Sequence, residues 1–235
     1  MPLRDHFHRP LAPRRHWTSF HGAWATFISG QLNRVLPTGF FAEPLCHFVV
    51  EIDVASFDEK GLGSEMSGWV PSAPLLTVPI AAATDTVEVR IYRDEGGSAL
   101  AGCIELVSPS NKDRAEERDA FVSKCASYLH DKVGLLIVDI VTSRLANLHT
   151  ALMTRMSPGS MGTLSADLYA VSYRPFEQKN QIEMSIWPES LALGQPLPKL
   201  PLWLREGPCM PVELEETYEQ TCRELRLLSN GSQVT

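Results

Sequence analysis

The chain has 235 residues, carries a formal net charge of −7, and is 44% hydrophobic and 21% charged. Such a chain can bury a core of its own, which excludes a disordered or fibrous protein, and its acidic balance argues against a general nucleic-acid binder. The longest apolar run, Val133–Val138, is far shorter than the roughly 18 residues of a membrane span. Five cysteines without a CxxC pair, and an N-terminus without an apolar leader, favour a reducing compartment, so we expect a cytoplasmic protein with no membrane partner.

The first 16 residues differ in composition from the rest of the chain. They contain four arginines and three histidines, and they show neither a helical nor a strand period. We therefore predict a basic N-terminal arm over residues 1–16, one domain over residues 17–228 and a short tail over residues 229–235.

The domain begins with a predicted helix and a predicted strand. Apolar residues recur every three or four positions from Trp17 to Leu36, and Pro37 follows, so we expect a helix there. The alternating run Phe48–Val54 predicts a strand with Asp53 near its end. Residues 60–84 are rich in Gly, Pro and Ser and predict a loop.

A β-hairpin is predicted next. Thr86–Tyr92 and Leu100–Val107 alternate with a period of two on either side of a Gly-Gly turn. On this pattern Glu88 and Arg90 share a face, and we interpret them as a surface pair or as cross-strand partners rather than as metal ligands.

The second half of the chain predicts a strand–helix–strand unit and then further strands. Asp113 and Glu116 form a capping-box pattern that opens a helix reaching about residue 130, and the doubly apolar run of residues 133–141 predicts a buried parallel strand. Residues 168–173 and 182–187 predict two more strands, residues 193–211 an extended Pro-rich segment, and residues 212–227 a final helix. The fold class is α/β (or α+β), in a single domain.

The candidate chemistry lies in Glu105, Lys124 and Asp53. Glu105 stands in the middle of an apolar strand, where burying a carboxylate is costly unless a cation or hydrogen-bond donors meet it. Lys124 lies on or beside the core-facing stripe of the following helix and can fold back over Glu105. Asp53 could supply a second carboxylate. Two carboxylates with one lysine can hold a hard divalent cation and orient an attacking water.

Structural interpretations of the same residues remain open. Glu105 and Lys124 could form only an ion pair that ties helix to strand, and Asp53 could only end its strand. Lys112, with Asn111 before it, could only begin the helix.

The run Ile104–Lys112, IELVSPSNK, resembles the IEVLSPANK signature of a bacterial family, the domain of unknown function 4058. Other segments are similar to that family in the same order along the chain. They are the tryptophan and histidine of the opening helix, the strands around Asp53, Val87–Val89 and Leu136–Asp139, the helix with Phe121 and Lys124, and the segment Leu197–Leu204. The signature is in turn similar to the VVEVLSPST run of the Uma-type proteins, which are placed among endonucleases of the PD-(D/E)XK superfamily.

This resemblance implies a restriction-endonuclease-like fold, a mixed sheet flanked by helices. It implies that Asp53 and Glu105 bind Mg²⁺ or Mn²⁺. The lysine expected two residues after the glutamate is Val107 here, so Lys124 on the following helix would take its role, with Lys112 in reserve.

Two functions are consistent with these expectations. One is a metal-dependent phosphodiesterase that acts on nucleic acid. The other is a catalytically inactive relative that serves as a binding or scaffold module, and in either case the resemblance allows a homo-oligomer.

Overall fold

A computed structural model of the chain describes residues 2–12, 15–47, 86–94, 97–159 and 164–227. Within these ranges it contains four α-helices and eight β-strands. In chain order they are α1 (Trp17–Val35), β1 (Phe40–His47), β2 (Thr86–Asp94), β3 (Ser98–Leu106), α2 (Ala115–His130), β4 (Gly134–Asp139), α3 (Leu148–Met156), β5 (Tyr169–Gln178), β6 (Gln181–Ser190), β7 (Lys199–Trp203), β8 (Cys209–Glu213) and α4 (Leu214–Glu224).

The main sheet has six strands in the order β1-β2-β3-β4-β5-β6. Strands β3 and β4 are parallel, and every other neighbouring pair is antiparallel. Helix α2 joins the two parallel strands, so the strand–helix–strand unit predicted from the sequence is confirmed, as is the mixed α/β class. A separate hairpin of β7 and β8 completes the described strands.

Each face of the main sheet has its own hydrophobic core. On one face, α1, α4 and the β7–β8 hairpin pack against side chains such as Val89, Ile104 and Leu136. On the other face, α2 and α3 pack against side chains such as Cys103 and Ile137. Because both faces are covered, residues 101–106 of β3 and all six residues of β4 are buried, whichever face they point to.

Helix α1 agrees with the sequence prediction to within a residue. Its predicted stripe is buried at Trp24, Ile28 and Leu32, which lie against the sheet, whereas Val35 at the end is 48% exposed. The predicted capping box of α2 is wrong, because the N-cap is Arg114, whose side chain has no acceptor and makes no cap. The Asp113 carboxylate, one residue earlier, accepts a hydrogen bond from Arg144.

Several elements differ from the sequence prediction. Strand β1 and helix α3 were not predicted, and the Pro-rich segment forms the β7–β8 hairpin, in which Pro201 faces Pro211. The predicted strand Phe48–Val54, and the loop of residues 60–84, lie outside the described residues.

The described part of the N-terminal arm packs on the domain. The backbone of Leu3 exchanges hydrogen bonds with Gly194 and Gln195, and its side chain is 2% exposed. The Tyr218 hydroxyl on α4 lies 2.8 Å from His6 Nε2. A search of the described residues found no helix with the length and hydrophobicity to cross a membrane.

Candidate metal and carboxylate site

Glu105 is placed by the alternation of β3. Ile104 and Leu106 point into the α1 core, so Glu105 faces α2 together with Cys103 and Val107, as predicted. Its side chain is only 2% exposed. Burial raises the pKa of the Glu105 carboxyl well above its ordinary value, and the ammonium of Lys124 only partly opposes that rise.

Glu88 supplies a second carboxyl group that the sequence interpretation placed at the surface. That interpretation is wrong: the Glu88 side chain is 0% exposed. It lies on β2 directly opposite Glu105 in the strand register, and the two carboxyls are hydrogen-bonded to each other. The face of β2 that carries Glu88 was taken to be open to solvent, whereas α2 covers it.

A β-bulge brings Glu88 and Glu105 together. Tyr92 pairs with Leu100 and Ile91 pairs with Gly102, so Ala101 is an extra residue on β3. If Ala101 instead paired with Ile91, the register of the first pairs would continue and set Glu88 opposite Ile104, whose side chain points to the other face of the sheet. The bulge therefore places both carboxyls, hereafter the carboxyl pair, on the face covered by α2.

Lys124 on α2 bridges the carboxyl pair. Its Nζ lies 2.8 Å from Glu105 Oε1 and 3.1 Å from Glu88 Oε2. Burial alone would lower the pKa of Lys124, but the two carboxyls outweigh it and raise that pKa, so the amine stays charged. The prediction that Lys124 folds back over Glu105 is confirmed.

Arg90 and Tyr128 complete the surroundings of Glu88. Arg90 Nε donates to Glu88 Oε1 over 2.6 Å, and the Tyr128 hydroxyl donates to Glu88 Oε2 over 3.3 Å. Burial raises the pKa of Glu88, but the hydrogen bond from Glu105 and the charges of Lys124 and Arg90 outweigh it and lower the value to about 2. The neighbouring charges therefore favour the ionised form of Glu88, whereas burial favours the neutral form of Glu105.

Cys103 adds a thiol to the carboxyl pair. Its Sγ lies 3.7 Å from Glu88 Oε2 and 3.9 Å from Glu105 Oε1. One ligand atom from each of these three side chains lies within 4.8 Å of the others, and within the described ranges this is the one such group of three. The carboxylates suit Mg²⁺ or Mn²⁺, and the thiol favours Mn²⁺ over Mg²⁺ because sulfur is the softer donor.

The structure does not join Lys112 to this group. Its Nζ lies 2.8 Å from Asp139 Oδ2 at the end of β4, and the side chains are 1% and 0% exposed. The same amine lies 3.5 Å from the carbonyl oxygen of Val141. Asp53 lies outside the described residues, so its predicted role as a metal ligand stays a prediction.

Of the groups around Glu105, the sequence interpretation missed Glu88 as a buried partner and did not consider Arg90 or Tyr128 there. The available signal was the position of Tyr128 one helical turn after Lys124, on the same side of α2. Comparisons with protein-family models, with curated proteins and with solved structures found no match to this chain.

Proposed function

We propose that the chain is a metal-dependent phosphodiesterase of the PD-(D/E)XK type. The observation that carries the proposal is the meeting of two buried carboxyls from neighbouring strands with the amine of a lysine from the crossover helix. The resemblance of residues 104–112 to the SPxNK signature, and the mixed sheet with helices on both faces, support the same assignment.

Glu88 and Glu105 would hold the cation, with Cys103 as a further donor. A divalent cation bound there would polarise a phosphoryl oxygen and lower the pKa of a bound water. For Glu105 to act as a ligand it must be ionised, which its burial opposes, and Lys124 must release at least one carboxylate oxygen. The freed ammonium, held in place by α2, would then stabilise negative charge that develops on the phosphoryl group.

The test is phosphodiester cleavage by the purified chain. Single- and double-stranded DNA and RNA are incubated with Mg²⁺, with Mn²⁺ or with EDTA. We expect cleavage with Mn²⁺ or Mg²⁺ and none with EDTA. The substitutions Glu105→Gln and Lys124→Met should each lower the rate at least about a hundredfold. Glu177→Gln, which changes a carboxylate at the surface, should cleave as the parent does.

Cleavage that persists in both Glu105→Gln and Lys124→Met would contradict the proposal. The second candidate is a non-catalytic binding or scaffold module, and it is favoured by the bonds that Lys124 already makes to both carboxyls. A folded protein that cleaves nothing with either cation, yet loses stability in Lys124→Met, would support that candidate.

A further inference from the structure

A second site is suggested by an open cleft of about 690 Å³. Its walls are residues 130–132 at the end of α2, residues 174–176 of β5 and residues 203–207 at the β7–β8 turn. It lies where β4 begins. Gly134 at that point pairs with Gly102, three residues before Glu105, so the cleft is about 10 Å along the strands from the carboxyl pair.

An arginine stacked on aromatic rings forms one wall of the cleft. The Arg174 guanidinium carbon lies 3.8 Å from the ring centroid of Trp203 and 5.7 Å from that of Phe176. Trp187 stacks behind Trp203, with ring centroids 6.4 Å apart. A guanidinium supported on a ring in this way keeps its N–H edge available for an anion and loses little freedom on binding one.

The two arginines of the cleft are not paired with a carboxylate of any residue that the structure describes. Among the described residues, neither Arg174 nor Arg205 makes an ion pair, and Arg205 is exposed. Two other charged side chains of the walls already form ion pairs: Lys132 pairs with Glu177, and Glu206 pairs with Arg93.

Trp203 is one of two tryptophans among the described residues whose indole nitrogen is buried without a hydrogen-bond partner, Trp17 being the other. This is an unfavourable arrangement for packing. The backbone of Trp203 packs directly against Gly134, since a Cβ on Gly134 would lie 1.7 Å from the Trp203 carbonyl oxygen. The strand thus presents Trp203 and the stacked Arg174 in a fixed position.

We propose that this cleft binds a mononucleotide. The phosphate would bind the guanidinium groups of Arg174 and Arg205, and the base would stack on Arg174 and Phe176. The carboxylates of Asp131 and Glu206 would accept hydrogen bonds from the ribose hydroxyls, as acidic residues do in nucleotide sites. The volume lies in the range of small-ligand sites.

A single nucleotide fits better than a nucleic-acid strand. Asp131 and Glu206 line the same cleft as the two arginines, so a continuing chain of phosphates would meet carboxylates. The net charge of −7 opposes a polyanion in the same way.

The test is equilibrium binding of AMP, which is measured by calorimetry. The buffer contains EDTA, so the result is independent of any metal and of the proposed cleavage. We expect AMP to bind, and adenosine or inorganic phosphate alone to bind at least about tenfold more weakly. Arg174→Ala and Arg205→Ala should each weaken AMP binding at least about tenfold, because a charge-assisted hydrogen bond is lost. Arg174→Lys should fall between Arg174→Ala and the parent, since it keeps the charge without the stacked plane.

Arg223→Ala on α4 removes the same charge at a remote exposed position and should bind AMP within about twofold of the parent. Circular dichroism establishes that each variant is folded, and the exposed Arg205 keeps the test informative if Arg174→Ala does not fold. The proposal is overturned if AMP does not bind, or if folded Arg205→Ala binds AMP as the parent does. It is also overturned if a single-stranded oligonucleotide binds through Arg174 and AMP does not.

Discussion

Replacing Lys112 by methionine should destabilise the protein by about 3–5 kcal/mol, because it leaves a buried carboxylate without its cation. The Lys112 ammonium lies 2.8 Å from Asp139 Oδ2, and the two side chains are 1% and 0% exposed, so water screens neither charge. Methionine keeps much of the length and the apolar stem of lysine, so the loss measured is mainly that of the charge.

The size of this loss should depend on pH. Burial raises the pKa of Asp139 to about 6, and Lys112 opposes that rise. Without the ammonium, the pKa of Asp139 should rise further, and the folded state would hold a proton that the unfolded chain has released above about pH 4. The free energy of unfolding therefore falls as pH rises from the unfolded to the folded pKa of Asp139. In Lys112→Met the folded pKa is higher, so this fall continues to a higher pH. The deficit relative to the parent should be larger at about pH 8 than at about pH 5, by about 1.4 kcal/mol for each unit of further pKa rise.

Urea unfolding of the parent and of Lys112→Met at these two pH values measures the effect. In a chain of this size a loss of about 3–5 kcal/mol corresponds to a drop of roughly 6–20 °C in Tm. The double variant Lys112→Met/Asp139→Asn should regain much of the stability, because no buried charge remains and the asparagine oxygen can still accept the hydrogen bond from the Val141 N–H. Lys132→Met, which breaks an exposed pair, should change little. A loss below about 1 kcal/mol in Lys112→Met, or no recovery in the double variant, would refute the reasoning.

Three further predictions concern the packing and titration of the fold. Gly134→Ala should lower the free energy of unfolding by about 3 kcal/mol or more, because the new Cβ would lie 1.7 Å from the Trp203 carbonyl oxygen. Thermal unfolding measures this loss. The control Gly30→Ala, whose Cβ would enter open space, should not destabilise the protein. Burial lowers the pKa of His21 from 6.5 to about 3, so between these pH values the unfolded chain binds a proton that the folded chain does not. The free energy of unfolding should therefore fall as pH drops through that range. Urea unfolding at several pH values should show a shallower decline in His21→Asn. Because burial raises the pKa of Glu105, binding of Mn²⁺ to its ionised form should be coupled to proton release and should tighten as pH rises; calorimetry showing a pH-independent affinity would contradict this.

Elements with a local periodicity long enough to be recognised were predicted correctly. Helix α1, the β2–β3 hairpin and the β3–α2–β4 unit follow from apolar spacing, turn residues and a doubly apolar strand. The same patterns also predicted that Glu105 on β3 faces α2 and that Lys124 on α2 can reach Glu105. Both follow from strand alternation and helical spacing, which are properties of neighbouring residues.

Other elements were beyond such reasoning. Strand β1 carries a proline and lacks clean alternation, α3 has only nine residues, and β7 and β8 are five-residue strands each with a central proline. Short strands of this kind gain their stability from the surfaces that they cover, which a local pattern does not contain.

The composition of the carboxyl pair was decided by the tertiary structure alone. One extra residue, Ala101, shifts the register of β2 on β3 so that Glu88 meets Glu105, and its carbonyl oxygen accepts a hydrogen bond from the Arg205 amide on the β7–β8 turn. A one-residue shift moves every later side chain to the opposite face of the sheet. The bulge contacts a hairpin about a hundred residues further along the chain, so the sequence of β2 and β3 alone does not reveal it. Their alternation predicts two strands, but it does not predict which carboxyls face each other.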